Sequence, residues 1–208
     1  MSHDATAETK ATYDRIAPIY DLMEAVVERF AFRHWRKALS SLVDGERVLE
    51  VGIGTGKNVP YHPAGVQVTG VDISDRMLKR AVERTQGLEA GPDLALMDAE
   101  RLGFPDAAFE TAVATFVFCS VPDPVQGLQE LDRVVKPGGR VILLEHVRVS
   151  ISVVGEMMDL LDPLVQRLIG PHINRRTEEN VRKAGLAVEQ VQELAVGGLV
   201  KRIVACSN

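Results

Sequence analysis

Two features that could bind a nucleoside lie 20 residues apart in the sequence. The glycine-rich segment Glu50–Gly56, EVGIGTG, follows a β-branched run. Glycines at such a place let the backbone turn sharply and approach a ligand closely. Asp72 comes 20 residues after Gly52 and ends the next apolar run, where a carboxylate can accept hydrogen bonds from both hydroxyls of a ribose. Together they predict a nucleoside site at the carboxyl ends of two strands.

The spacing of the glycines helps to separate two kinds of nucleoside cofactor. A dinucleotide fingerprint reads G-x-G-x-x-G, whereas this loop reads G-x-G-x-G and places Lys57 at the last fingerprint position. Glu50 would repel a pyrophosphate but suits a cationic ligand. The Tyr-x-x-x-Lys pair of short-chain dehydrogenases is not formed by Tyr13, Tyr20 or Tyr61. S-adenosylmethionine, with a sulfonium and no phosphate, therefore fits better than a nicotinamide dinucleotide, and a glycine turn without a ligand is the remaining alternative.

The elements that must position this loop alternate along the chain from residue 45 onwards. Short runs rich in Val, Leu and Ile predict buried parallel strands at Arg47–Val51, Gln67–Val71, Asp93–Met97, Thr111–Thr115 and Arg140–Leu144. Amphipathic stretches predict helices at Asp75–Thr85, with Ser74 as N-cap, and at Val125–Val135. Lys136–Gly139 predicts a turn into the fifth strand. This alternation indicates an α/β fold with a largely parallel sheet.

The C-terminal part follows another pattern. Ala187–Glu193 and Lys201–Cys206 predict a hairpin around Gly197–Gly198, which makes the last strand antiparallel. Val153–Ile169 predicts a helix that Pro163 kinks or splits. A short helix with a threonine N-cap is predicted at Thr177–Ala184.

The N-terminal part precedes the sheet. Asp21–Val43 predicts a helix that carries the cations Arg29, Arg33, Arg36 and Lys37 among apolar and aromatic residues. Such a helix is either a lid with a solvated basic face or a peripheral contact with anionic lipid. We predict a single domain, 1–208, made of a helical cap (1–44), a cofactor-binding core (45–147) and C-terminal helices with the hairpin (148–208).

Composition argues against several classes of protein. The chain has 208 residues, 46% of them hydrophobic, and a net charge of −5, which disfavours nucleic-acid binding through bulk charge. No run approaches the roughly 18 apolar residues of a transmembrane helix, and the polar start, Met1–Lys10, lacks the apolar core of a signal peptide. Cys119 and Cys206 form no disulfide framework and the histidines have no ligand spacing, so we expect a reducing cytosol and no metal.

The segment from about Tyr13 to Val147 resembles class I S-adenosylmethionine-dependent methyltransferases. The matching stretches are EVGIGTG at Glu50–Gly56, VDIS at Val71–Ser74, MDAERLGFPDAAFE at Met97–Glu110 and LDRVVKPGGRVILLEH at Leu131–His146. The resemblance implies a Rossmann-like α/β fold with a seven-stranded, mostly parallel sheet, an antiparallel last strand and an N-terminal helical cap. It also implies an enzyme that uses S-adenosylmethionine and releases S-adenosylhomocysteine, but it hardly specifies the acceptor.

The same resemblance assigns cofactor roles to residues. In such families the glycine loop lines the methionine part, the acid after the second strand, here Asp72, binds the ribose, and the next residue packs on adenine. The acid that ends the third strand, here Asp98, reaches the adenine amino group. The predicted cofactor set is Tyr13, Tyr20, Glu50, Gly52, Ile53, Gly54, Gly56, Asn58, Asp72, Ile73, Met77, Asp98, Ala99 and Thr115.

The block YDRIAPIYD that begins at Tyr13 resembles the opening motif of two lipid-acting subfamilies. These are the bacterial phosphatidylethanolamine N-methyltransferases and the quinone C-methyltransferases of ubiquinone and menaquinone synthesis. In both, the block caps the cofactor, so Tyr13 and Tyr20 would order the catalytic site. The forms of Ala17–Asp21 and Ser120–Pro124 favour the phospholipid subfamily. Leu144–Val147, LEHV, departs from its pattern, in which Asn often precedes the histidine.

The acceptor side is predicted from the ends of the fourth and fifth strands. Phe116–Pro122 is apolar and suggests a greasy acceptor in contact with Phe118. His146 is the candidate base, since a neutral imidazole can take a proton from an acceptor. Arg175 and Arg176 could hold a phosphate through their planar guanidinium groups. These residues favour methylation of the amine of phosphatidylethanolamine.

Several alternatives stay open at this point. Within the same chemistry, the acceptor could be a quinone precursor or a small thiol. A nicotinamide-dependent oxidoreductase and a non-catalytic cofactor sensor are alternatives of other classes. The oligomeric state and the number of methyl transfers stay open as well. We expect a cytoplasmic protein, with the 21–43 helix as the place for any peripheral contact at the inner face of a membrane.

Overall fold

One seven-stranded sheet organises the chain, of which a computed structural model describes residues 2–27, 32–149, 151–169 and 172–208. The strands are β1 Arg47–Val51, β2 Gln67–Asp72, β3 Asp93–Leu96, β4 Phe109–Thr115, β5 Val135–His146, β6 Ala187–Glu193 and β7 Val200–Cys206. Their order is β3-β2-β1-β4-β5-β7-β6. β1 to β5 pair in parallel, and β7 is antiparallel to both of its neighbours. The predicted sheet is therefore confirmed, hairpin included.

Six α-helices accompany the sheet among the described residues. They are α1 Ser2–Val27, α2 Arg33–Ser40, α3 Asp75–Thr85, α4 Pro124–Val134, α5 Ser152–Ile169 and α6 Thr177–Lys183. Ser74 caps α3 as predicted, because its hydroxyl accepts a hydrogen bond from Met77 N at 3.1 Å. Asp123 caps α4 in the same way through Gln126 N at 3.0 Å. None of the helices that can be described is long and apolar enough to span a bilayer.

The central parallel strands, β1, β4 and the second half of β5, are buried on both faces. Leu49, Ala112 and Leu143 are fully buried in the largest apolar cluster, whereas Val48, Val113 and Leu144 belong to a second cluster on the other face of the sheet. Burial on both faces explains why these strands are nearly continuous apolar runs in the sequence. The strand order reverses between β1 and β4, and α/β folds bind ligands at the carboxyl edge of such a switch point.

The helix predicted over Asp21–Val43 is confirmed in part and wrong in its bounds. Residues 21–27 and 33–40 are helical, but α1 already begins at Ser2 and continues through Pro18, α2 ends at Ser40, and residues 28–31, Arg29 among them, lie outside the described residues. A proline removes one helical hydrogen bond. Here α1 is also held from outside, since Asp14 accepts hydrogen bonds from Ser74 Oγ at 2.6 Å and Arg76 N at 3.3 Å.

The split predicted at Pro163 is also wrong, because α5 runs unbroken from Ser152 to Ile169. Two aspartates on α5 attach it to the chain on either side. Asp159 forms an ion pair with Arg148 at 2.9 Å, and Asp162 contacts His172 Nδ1 at 2.7 Å. These contacts can hold the helix where the proline lacks a donor.

Two local predictions are corrected at other turns. Thr177 is the first residue of α6, whose N-cap is Arg176, so Thr177 is not the cap. The Thr177 hydroxyl is buried, with no hydrogen-bond partner in the described part of the chain. Lys136–Gly139 lies within β5 as a bulge instead of preceding it, and the register with β4 shifts there because the extra residues belong to β5 alone.

Candidate functional site

A cavity with about 680 Å³ of empty volume, counted out to its open mouth, lies at the carboxyl ends of β1, β2 and β4. We call it the main cavity. Ten predicted site residues line it: Tyr13, Tyr20, Gly52, Gly54, Asp72, Ile73, Met77, Asp98, Ala99 and Thr115. The rest of its wall is formed by Thr9, Val51, Val71, Met97, Phe116, Val117, Ser120, Val121 and Pro122.

The glycine loop forms the floor of the main cavity. Gly52 and Gly54 have left-handed backbone conformations, with φ of +65° and +57°. A Cβ on Gly52 would overlap the Val117 side chain, so only glycine lets the two segments approach this closely. Beside Gly54, by contrast, a Cβ would meet nothing nearer than 3.9 Å, so this glycine leaves room above the loop.

Three N–H groups of this loop, those of Ile53, Gly54 and Gly56, donate within the protein. Gly54 N donates to Asp72 Oδ2 at 2.8 Å, and Ile53 N donates to Val71 O at 3.0 Å. In a dinucleotide site the glycine loop opens a helix whose free N–H groups bind the pyrophosphate. Here the loop leads into turns and the short 3₁₀ helix Val59–Tyr61. The geometry does not provide for a phosphate.

The charge of the main cavity points to a cationic ligand. Its wall holds two carboxyl groups, Asp72 and Asp98, and neither Lys nor Arg among the residues that the structure describes. Asp72 also accepts a hydrogen bond from Ser74 N at 2.8 Å. Burial raises the pKa of Asp72 from 3.8 to about 6, although hydrogen bonds from backbone N–H groups oppose that change. The apolar side chains of Ile73 and Met77 flank this acid.

Helix α1 covers the main cavity through contacts with the loop after β4. The Tyr13 hydroxyl lies 2.6 Å from Ser120 Oγ, and Thr9 Oγ1 donates to Ser120 O at 3.4 Å. Burial raises the pKa of Tyr13 far above its ordinary value, so the phenol stays neutral. The cap predicted for residues 1–44 thus contributes three wall residues, Thr9, Tyr13 and Tyr20.

Glu145 holds the loop after β4, part of which lines the main cavity. It is fully buried, and its carboxylate accepts hydrogen bonds from Val117 N at 2.9 Å, Phe118 N at 3.0 Å and Cys119 N at 3.3 Å. Burial raises the pKa of Glu145 from 4.5 to about 7. Phe116, which precedes these residues, has a φ of +58°, an unusual value for a bulky side chain.

His146 and Phe118 do not line the main cavity. The His146 ring stacks on the Phe116 ring with centroids 4.3 Å apart and planes at 22°. Phe116 belongs to the cavity wall, so His146 lies one aromatic ring away from it. Phe118 is 1% exposed and packs in the main apolar cluster.

Glu50 and Asn58 belong to a buried polar network beside α2 and not to the wall of the main cavity. Asn58 Nδ2 donates to Glu50 Oε1 at 2.7 Å and to Thr115 Oγ1 at 3.0 Å. The second Glu50 oxygen contacts His62 Nε2 at 2.7 Å. Arg36, 6% exposed, donates to Asn58 Oδ1 at 2.7 Å. The predicted solvated basic face of this helix is therefore wrong at Arg36, which points inward.

The remaining predicted residues lie outside the main cavity. Ile53 is buried against Gly70, and a Cβ on Gly56 would lie 3.4 Å from Ala81 of α3. Arg175 and Arg176 line a separate cavity beside the end of β5.

Sequence reasoning missed three polar or polarisable wall residues, Thr9, Met97 and Ser120. A signal for Thr9 existed, because residues 9, 13 and 20 share one face at helical spacing. Ser120 carries no local signal, since only the packing of α1 on the loop after β4 brings it to Tyr13.

Comparison with known proteins agrees with this geometry. The family described as methyltransferase domain matches residues 49–143. The chain is 42% identical over 148 residues to phosphatidylethanolamine N-methyltransferase of Cereibacter sphaeroides, covering 70% of each protein. It is 34% identical over 142 residues to demethylmenaquinone methyltransferase of Paenarthrobacter aurescens, covering 66% of this chain and 54% of that protein.

A solved structure shows the same fold over nearly the whole chain. It is described as a possible histamine N-methyltransferase from Thermotoga maritima, with a TM-score of 0.74 and 24% identity, covering 95% of this chain and 99% of that one. The chain therefore belongs to the class I S-adenosylmethionine-dependent methyltransferases.

S-adenosylmethionine is accordingly the cofactor of this enzyme. The main cavity fits it, since two carboxyl groups, an open glycine floor and flanking apolar side chains suit a cationic nucleoside without phosphate. The nicotinamide alternative is thereby set aside, in line with the engaged N–H groups of the loop.

Proposed function

We propose that this methyltransferase transfers a methyl group to the amine of phosphatidylethanolamine. One observation carries the proposal: the chain is 42% identical to a phosphatidylethanolamine N-methyltransferase, against 33–36% to several demethylmenaquinone methyltransferases. The apolar part of the cavity wall, Phe116–Val117 with Val121–Pro122, supports an acceptor of lipid character.

For the cofactor, we assign Asp72 to the ribose hydroxyls and Asp98 with Ala99 to the adenine amino group. Ile73 and Met77 would pack on the adenine, and the backbone of Gly52 to Gly54 would leave room for the methionine part. When bound, the cofactor supplies an electrophilic methyl on a sulfonium. The protein has to exclude water and align the acceptor with that methyl, and such alignment provides much of the acceleration.

An ethanolamine headgroup is mostly protonated at neutral pH, so the proton must leave before nitrogen attacks. We assign this proton to His146; because its imidazole lies behind Phe116, the transfer requires the Phe116 ring to move aside. Tyr13 and Tyr20 would order the site from above. Tyr13 stays neutral and can accept or donate a hydrogen bond while it contacts Ser120.

Peripheral membrane contact belongs to the same proposal. With Arg36 buried, the exposed cations Arg33 and Lys37 remain on α2 for attraction to anionic lipid. Two exposed cations give a small electrostatic attraction, so we expect this contact to be weak and salt-dependent.

C-methylation of a quinone precursor is the second candidate, favoured by the demethylmenaquinone methyltransferase relatives and by the same apolar wall. No described feature of the site favours a small thiol. A panel test decides among them: purified protein receives methyl-labelled S-adenosylmethionine and either phosphatidylethanolamine vesicles, a demethylated quinone or a simple thiol. We expect label in the phospholipid, and label in the quinone alone would overturn the proposal.

A further inference from the structure

A second cavity, with about 770 Å³ of empty volume counted to its open mouth, lies beside the end of β5. We call it the basic cavity. Its lining includes five cations and one buried hydroxyl, from Arg148, Arg175, Arg176, Thr177, Arg182 and Lys201. It is separate from the main cavity, and it contains Arg175 and Arg176, the pair for which the sequence predicts a phosphate contact.

Four of these cations already face carboxylates. Arg148 pairs with Asp159 at 2.9 Å and Arg176 with Glu179 at 3.3 Å. Arg182 pairs with Glu178 at 3.0 Å, and Lys201 lies 3.8 Å from the same acid and 3.7 Å from Glu193. These pairs fix the rim of the basic cavity and largely neutralise it.

Arg175 differs from the other four. Its guanidinium donates from Nη2 to the carbonyl of Val121 at 2.8 Å, and no carboxylate lies within ion-pair distance of it among the described residues. Its Nε is buried and has no hydrogen-bond partner in the described chain. Burial lowers the pKa of Arg175 from its ordinary value, yet a guanidinium stays charged. This cation therefore retains charge and a donor without an acceptor.

Thr177 adds a second donor of the same kind. The residue is 1% exposed, and its Oγ1 finds no partner among the residues that the structure describes. A buried donor without an acceptor destabilises the fold unless something satisfies it. The two donors lie on residues two positions apart that line one cavity, and one of them belongs to a guanidinium without a carboxylate partner; they fit a ligand with several acceptor oxygens and negative charge.

We propose that the basic cavity binds a phosphate group, with the Arg175 guanidinium and the Thr177 hydroxyl as its inner ligands. Both donor atoms are closed to solvent in the ligand-free fold, so binding involves rotation of these two side chains. The ion pairs hold the rim in place, and the charge that attracts the ligand is that of Arg175.

The phosphate could come from a lipid headgroup or from free phosphate, since both present the same oxygens. The lipid source rests on the proposed function. Arg175 supports it, because its Nη2 binds the carbonyl of Val121, a wall residue of the main cavity. A headgroup whose phosphate lies in the basic cavity would direct its amine toward that wall.

The test uses ³¹P NMR line broadening on the full-length protein in a phosphate-free buffer. The two probes are inorganic phosphate and glycerophosphoethanolamine, the soluble headgroup. We expect Arg175→Gln to weaken phosphate binding roughly 10- to 100-fold and Thr177→Val roughly 2- to 10-fold. Arg140→Gln, the same change toward the other end of β5 and outside the basic cavity, should leave it unchanged. Equal S-adenosylhomocysteine affinity in all variants shows that they fold.

The outcomes separate the two sources and the two proposals. The headgroup is supported as the source if glycerophosphoethanolamine binds more tightly than inorganic phosphate. Arg175→Gln should then raise the KM for phosphatidylethanolamine vesicles and leave the KM for S-adenosylmethionine unchanged. Tighter binding of inorganic phosphate, with no change in KM for the lipid, supports free phosphate. If Arg175→Gln and Thr177→Val bind both probes as the unmodified chain does, the phosphate site is overturned. If phosphate binds but no lipid is methylated, the proposed function is contradicted and the phosphate site is not.

Discussion

Asp72 and Glu145 are two carboxyl groups that accept hydrogen bonds from backbone N–H groups, and of the two only Glu145 is fully enclosed. Asp72 joins the glycine loop to the start of α3 and lines the main cavity, while Glu145 holds the loop after β4 and has no exposed surface. Burial raises the pKa of both, to about 6 and about 7. Asp72 is accessible and can bind a ligand, whereas Glu145 is enclosed and stabilises the cavity wall.

Asp72→Asn should weaken S-adenosylhomocysteine binding roughly 10- to 100-fold, because a charged acceptor for the ribose hydroxyls is lost. In the unmodified chain, affinity should rise as the pH increases through about 6, since the ionised carboxylate is the better acceptor. Isothermal titration calorimetry between pH 5 and 8 measures both effects. An unchanged affinity in the variant would remove Asp72 from the ribose role.

His146→Gln should lower kcat at least about 100-fold if His146 takes the proton from the acceptor, and S-adenosylhomocysteine affinity should stay the same. The acidic limb of the pH–kcat profile should also disappear. Phe116→Leu serves as the companion variant, since it removes the stacked ring but keeps the imidazole. A loss of kcat that is equal at every pH in both variants would make His146 a positioning residue.

At the scale of elements, the strands could be predicted because burial on both faces leaves apolar runs that are visible in the sequence. α3 was predicted with its cap and both ends, since Ser74 and the amphipathic period agree. α1 could not be predicted from the sequence, because its first half is polar and it contains Pro18. It is also held by Asp14, which contacts residues 60 and more positions away in the sequence. The bulge in β5 likewise depends on pairing with β4 and β7, which no local pattern contains.

Glu145→Ala should destabilise the fold by about 3 kcal/mol or more, because three buried N–H groups lose their acceptor. Glu145→Gln should destabilise the fold less, and comparing its stability with that of the unmodified chain at several pH values tests the raised pKa of Glu145. The folded-state pKa is raised, so the carboxyl group of the unmodified chain costs stability as the pH rises from 4.5 to 7. Urea unfolding should show the stability gap to Glu145→Gln narrowing over that range. A gap that widens would contradict the raised pKa.

Arg36→Met should lower the free energy of unfolding by about 1–3 kcal/mol, since Asn58 Oδ1 loses its buried donor. Lys37→Met, the neighbouring exposed cation, is the matched control and should change stability by less than about 0.5 kcal/mol. Urea denaturation of both variants compares them directly. Equal effects would mean that Arg36 does not attach α2 to the glycine-loop network.

At the scale of the whole molecule, the fold and the cofactor follow from motifs at strand ends, and ten of the predicted site residues meet in one cavity. Eight others do not, for reasons of packing. Asn58 forms hydrogen bonds with Glu50 and Arg36 outside the cavity. His146 stacks behind Phe116. The acceptor is least predictable, since it depends on how α1 and the loop after β4 close together and not on any motif.

The most direct test of the account locates the transferred methyl group. The protein is incubated with methyl-labelled S-adenosylmethionine and vesicles of phosphatidylethanolamine, and the lipids are separated and analysed by mass spectrometry, with Asp72→Asn and phosphatidylglycerol vesicles as controls. We predict label on the headgroup nitrogen of phosphatidylethanolamine, much less with Asp72→Asn and none on phosphatidylglycerol. Unlabelled phosphatidylethanolamine from a protein that still binds S-adenosylhomocysteine would contradict the account.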